Sequence, residues 1–115
     1  MRRTERIAVD LAVTWTRGGR TISCRANDVN AHGMFIVSDE IVEPGSLMHV
    51  AVTLPKHTID MYVTARFVGR TQSGQGIGCE IFLIDDVSQC HWIAYYEDLV
   101  ASVARSRQVA AAAAR

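Results

Sequence analysis

From Ile7 to Thr16 the chain alternates, with Val9, Leu11, Val13 and Trp15 on one side and Asp10 and Thr14 on the other. Period two predicts a half-buried strand. Gly18-Gly19 follows and predicts a hairpin turn, because glycine takes the positive φ angles of a tight turn. Ile22, Cys24 and Ala26 continue at period two, so residues 21–26 read as a second strand. Residues 27–33, Asn-Asp-Val-Asn-Ala-His-Gly, read as a polar break, and Met34 to Val37 as a short third strand. Glu43-Pro44-Gly45-Ser46 is a turn signal, with proline presetting φ and glycine supplying the left-handed position. Leu47 to Leu54 is the fourth strand and Thr58 to Val68 the fifth, with Ile59, Met61, Val63, Ala65 and Phe67 sharing a face. Residues 69–75 read as a loop and 76–84 as the sixth strand.

The period changes at Asp85. Asp86-Val87-Ser88-Gln89 fits a capping box. Trp92, Tyr96, Leu99 and Val103 then recur at helical spacing, joined by Ile93 and Val100, and predict an amphipathic helix packed on the sheet. Six short strands and one helix predict a mainly β fold: a six-stranded antiparallel barrel with a C-terminal α-helix. Closing the sheet removes its sticky edges. The expected organisation is a flexible Arg-rich leader over residues 1–6, a barrel-and-helix domain over 7–104, and an Ala-rich helical tail over 105–115.

Composition narrows the function classes. The 115 residues are 49% hydrophobic and 21% charged, which excludes wholesale disorder and fits one domain. No apolar run nears the roughly 20 residues a helix needs to cross a bilayer, so no membrane insertion is expected. Met1-Arg2-Arg3 leads straight into alternating residues, so no secretory signal is expected either. Twelve basic and twelve acidic residues cancel, which leaves no global field for a nucleic acid polymer. Cys24, Cys79 and Cys90 form no C-x-x-C pair and the four histidines are scattered, so no metal site is expected. Cys24 and Cys79 sit in strand patterns and read as small buried apolar residues. No serine lies in a G-x-S-x-G elbow, and Asp85-Asp86 suits a helix start better than acid–base work. Gly74-Gln75-Gly76-Ile77-Gly78 opens a strand and no helix, so it fails as a dinucleotide loop. No catalytic residues are predicted.

Two motifs remain. Arg2-Arg3-Thr4-Glu5-Arg6 gives R-x-x-x-R just before the first strand, and Asp28-Val29-Asn30-Ala31-His32-Gly33 gives D-x-N-x-x-G between the second and third. On a small barrel both can lie at one end. Arg donates paired hydrogen bonds to phosphate oxygens or to guanine O6 and N7. Asp accepts from guanine N–H groups, and Gly33 is expected to let the backbone turn sharply through a positive φ beneath the ligand.

Together these features resemble the PilZ domain, the bacterial receptor module for cyclic di-GMP. The resemblance runs from the leader through VDLAVTW, NDVNAHGMFI and EPGSLMHVAVTL to GIGCEIF. It implies the family's split-type six-stranded barrel and C-terminal helix. It implies that Arg2 and Arg6, with Arg3 between them, grip the phosphates and guanine edges of cyclic di-GMP. Asp28, Asn30 and Gly33 fall at the D/N, S and G positions of the family motif D/N-x-S-x-x-G. The resemblance further implies a cytoplasmic second-messenger receptor without a catalytic cofactor. Such a receptor would couple the nucleotide to a protein partner in motility, biofilm or envelope regulation. Some members bind no nucleotide and act as protein adaptors, which is the alternative. Asn30 departs from the family's Ser; its amide offers a donor and an acceptor, but freezing the longer side chain costs on the order of 1 kcal/mol.

Overall fold

The computed structural model describes residues 5–72 and 74–113. Its elements are β1 (Ile7–Arg17), β2 (Arg20–Asn30), β3 (Gly33–Val37), β4 (Leu47–Thr53), β5 (Thr58–Thr71), β6 (Gly74–Leu83) and α1 (Asp86–Ala113). The strands close into an antiparallel barrel in the order β1-β2-β3-β6-β5-β4, with β4 returning to β1. The six-stranded barrel with a C-terminal helix is the expected architecture. Gly18 and Gly19, at φ 56° and 78°, make the β1–β2 turn as expected.

Alternation fills the barrel. Leu11, Val13 and Trp15 of β1 point inward and meet Val50, Val52, Met61, Val63 and Ile77, all buried. Trp92 and Tyr96 are the buried residues of α1, and Leu99, Val100 and Val103 are half-buried against the same core. That is the predicted stripe, and it closes one side of the barrel with aromatic bulk.

Strand boundaries differ from the sequence reading where the pairing is irregular. Residues 27–30 do not break the sheet; they prolong β2 through a bulge. Ala26 pairs with Ile36 and Asp28 with Phe35, leaving Asn27 as an extra residue. Likewise β5 continues to Thr71 and β6 begins at Gly74, so the expected 69–75 loop contracts to the hairpin tip. The helix cap is Asp85, not Asp86. Its Oδ1 accepts from Ser88 N–H at 2.9 Å and its Oδ2 from the Ser88 hydroxyl at 2.8 Å. Ser88 therefore fills the third helical position, and Asp86 is the first residue of α1.

Candidate functional site

Two bulges build the site. Up to Ala26 the inward positions of β2 are even-numbered; the extra residue Asn27 shifts the phase by one. Val29 then points into the core while Asp28 and Asn30 turn outward. Unshifted alternation would have buried both polar residues. Re-aiming side chains in this way is a common use of bulges.

The second bulge is in β5. Ala65 pairs with Cys79 and Phe67 with Gly78, so Arg66 is the extra residue. Phe67, expected on the inward face, is instead 51% exposed on the outside. It stands across the barrel exterior from Asp28. Between them lie Phe35, buried against the outer surface of β6, and Gly78. A side chain at Gly76 would run into the Phe35 ring and the Ile36 carbonyl oxygen. The glycines of β6, rejected above as a phosphate loop, thus form a flat floor under two phenylalanines.

This groove has two adjoining parts. One, of about 450 Å³, is lined by Arg6, Asn27, Asp28, Phe35, Phe67 and Gly78, among others. The other, of about 220 Å³, shares Arg6, Phe67 and Gly78 and adds Asn30, His32, Gly33, Arg66 and Glu80. The larger part lies within the roughly 300–1,000 Å³ of small-molecule sites. Arg6 Nη1 lies 2.6 Å from Asp28 Oδ1, bridging the two sequence motifs. Arg66 Nε pairs with Glu80 Oε2 at 3.2 Å on the far wall. Neither Arg66 nor Phe67 was singled out from sequence as a site residue; the only signal was an aromatic next to an Arg in a strand whose register is set by β6.

The remaining motif residues have local duties. Asn30 Oδ1 accepts the His32 N–H at 2.8 Å and so shapes the β2–β3 turn. Its backbone oxygen accepts the Trp92 indole N–H at 3.2 Å, tying α1 to the motif. Gly33 does not have the expected positive φ. It is required by close approach instead: a Cβ there would lie 2.0 Å from the Cys79 carbonyl oxygen. Arg2 and Arg3 lie outside the described residues.

Electrostatics separates this groove from its neighbour. A cleft of about 660 Å³ on the other side of Asn27 is larger, but Asp10, Asp39 and Glu40 line it and its Arg25 is paired with Asp10. Three carboxylates disfavour a phosphorylated ligand there. The two strand thiols add no chemistry to either cleft: burial pushes Cys24 up to about 11 and Cys79 up to about 12, so neither is a thiolate near neutrality. Among the described residues no three His, Cys, Asp or Glu groups converge on a metal position. Among the same residues no helix is long and apolar enough to cross a membrane.

A closed barrel with a glycine-floored groove, faced by phenylalanines and with an arginine at its mouth, defines a β-barrel binding module. The chain belongs to the PilZ domain family, whose match spans residues 1–98. Comparison with curated proteins gives no match in sequence. Among solved structures, the chain is similar to the inhibitor of motility MotI/DgrA of Bacillus subtilis, at TM-score 0.77 and 16% identity. That alignment covers 93% of this chain and 54% of MotI, so the chain spans about half of that protein's length. It is also similar to the PilZ domain of Escherichia coli YcgR with cyclic di-GMP, at TM-score 0.71 and 9% identity, covering 93% of this chain and 97% of that one. The PlzA protein of Borreliella burgdorferi, in complex with cyclic di-GMP, aligns at TM-score 0.54 and 13% identity over 84% of this chain and 41% of its own. At these identities the likeness is one of fold.

Proposed function

We propose that the chain is a receptor for cyclic di-GMP, a binding module and not a catalyst, which passes nucleotide occupancy to a protein partner. The observation that carries this reading is the meeting of Arg6 and Asp28, from two separate motifs, at the mouth of a groove faced by Phe67. In this reading Arg6, with Arg2 and Arg3, binds phosphate oxygens and the guanine Hoogsteen edge. Asp28 exchanges its ion pair with Arg6 for the guanine N–H donors. The exposed Phe67 ring offers a stacking face, and such stacking is worth roughly 1–3 kcal/mol per base. Family membership and the nucleotide-bound relatives YcgR and PlzA support the choice of ligand. The relative MotI supports a role in motility control.

The adaptor alternative has one observation in its favour. The side-chain and backbone oxygens of Asn30 both accept hydrogen bonds from the protein itself. Calorimetric titration separates the two readings. The receptor gives saturable heat with cyclic di-GMP that Asp28→Ala and Phe67→Ala each weaken about tenfold or more. A flat titration with the wild-type chain contradicts the receptor and leaves the adaptor.

A further inference from the structure

On the outside of the barrel, away from the groove floor, three adjacent strands carry large apolar side chains. Tyr62 of β5 pairs with Leu83 of β6 and, on its other side, with His49 of β4. Leu47 pairs with Thr64, two positions along the same face of β5. An irregularity between Tyr62 and Val63 leaves Phe82 as an extra residue of β6, turned outward beside Leu83. Leu47, Phe82 and Leu83 are 56%, 67% and 60% exposed, although the opposite face of the same strands is buried apart from the half-buried Ile81. Val87, in the first turn of α1, is equally exposed and follows Leu83 by four residues. Single exposed apolar residues are ordinary, but a contiguous group across three strands and a helix start marks a contact surface.

The charges beside this patch have one prevailing sign. Asp60 precedes Tyr62 on the outer face of β5, Glu80 precedes Phe82, and Asp85 and Asp86 precede Val87. Of the basic groups on these strands, Arg66 is held by Glu80, and His49, stacked on Tyr62, faces Asp60 at 3.7 Å. We propose that this face docks a protein partner whose contact surface sets apolar side chains among arginines and lysines. The acidic rim selects that occupant. A second copy related by a two-fold axis would bring the same carboxylates against one another, and an anionic lipid surface would be repelled. The inference goes beyond nucleotide binding, and its apolar residues lie outside the groove, which it meets only at Glu80.

A pair of synthetic 14-residue amphipathic peptides provides the probe. Both carry Leu and Phe at helical spacing; one has Lys and Arg between them, the other Glu at the same positions. Each is titrated into the isotope-labelled full chain while backbone amide shifts are followed. The basic peptide is expected to saturate and to shift the amides of Tyr62, Phe82 and Leu83, with the acidic twin at least tenfold weaker. The Phe82→Ser/Leu83→Ser variant should lose at least tenfold in affinity, as should the single Leu47→Ser variant, with the signals of the buried Trp15 and Trp92 unchanged as the check on folding. Equal binding of both peptides, or shifts centred elsewhere, overturns the proposal. So does a dimer in sedimentation that the Ser variants dissolve, or binding to phosphatidylglycerol vesicles. Cyclic di-GMP binding is read separately in the amides of Arg6 and Asp28, so failure of one reading is distinct from failure of the other.

Discussion

The Tyr96 hydroxyl donates a 2.7 Å hydrogen bond to the carbonyl oxygen of Glu5, the residue next to Arg6. Arg107, three turns further along the same helix, adds an ion pair to the Glu5 carboxylate at 3.3 Å. Helix α1 thus holds the start of the described chain beside the groove. Tyr96→Phe should cost about 0.5–1.5 kcal/mol, the net value of one hydrogen bond, and should speed amide exchange at residues 5 and 6. Tyr96→Ala also empties a buried aromatic site and should cost about 3 kcal/mol or more. Chemical denaturation of both variants checks the order.

Gly33→Ala should destabilise the barrel by about 1–3 kcal/mol, the usual range for overpacking, because β6 backbone occupies the space a methyl group needs. The expected observation is a lower denaturation midpoint with or without cyclic di-GMP. A variant of wild-type stability that merely fails to bind would contradict this account of the glycine.

The bulge in β2 left a trace in the sequence, although residues 27–33 read as a polar break and not as a bulged strand. Inward residues are two apart through Ile22, Cys24 and Ala26, but Val29 comes three after Ala26. That extra step is the extra residue Asn27. The bulge in β5 was not legible, because Ala65-Arg66-Phe67 keeps perfect alternation and only pairing with Cys79 and Gly78 turns Phe67 outward. Register against the partner strand is not written in the alternation of β5 alone, so one wall of the groove stayed hidden while Arg6 and Asp28 could be named. The helix cap was misplaced by one residue for a local reason. Asp85 and Asp86 are chemically equivalent caps, and the choice between them depends on where β6 ends.

Asn30→Ser should leave cyclic di-GMP affinity within about threefold. The ordering cost of the longer side chain does not fall on ligand binding, because His32 N–H already holds Oδ1 in place, and a serine hydroxyl can make the same kind of turn contact more weakly. Parallel titrations of the two proteins test this. A tenfold tightening would show that the amide obstructs the ligand.

The cap predicts an acid-sensitive helix start. Hydrogen bonds from the Ser88 backbone N–H, and then from its hydroxyl, hold the Asp85 carboxyl below its ordinary value of 3.8. The folded state therefore favours the charged form. Its stabilisation is fully present above that value and is lost as pH falls through the depressed one. Asp85→Asn keeps a capping oxygen without a titration. Wild-type helical circular dichroism should show an extra loss below about pH 4 that the Asn variant lacks; identical acid profiles would contradict the assignment.

The central claim is that a guanine dinucleotide occupies the Arg6–Asp28–Phe67 groove and not the larger acidic cleft beside it. The most direct measurement is the cyclic di-GMP affinity of the wild-type chain, Arg6→Ala and Arg25→Ala, compared in one buffer at two salt concentrations. Arg6→Ala should weaken binding by about 1.5–3 kcal/mol, the scale of a hydrogen bond to a charged group. Arg25→Ala should leave it unchanged, and added salt should weaken the wild type by screening its phosphate contacts. Equal affinities for wild type and Arg6→Ala, or a loss confined to Arg25→Ala, would contradict the account.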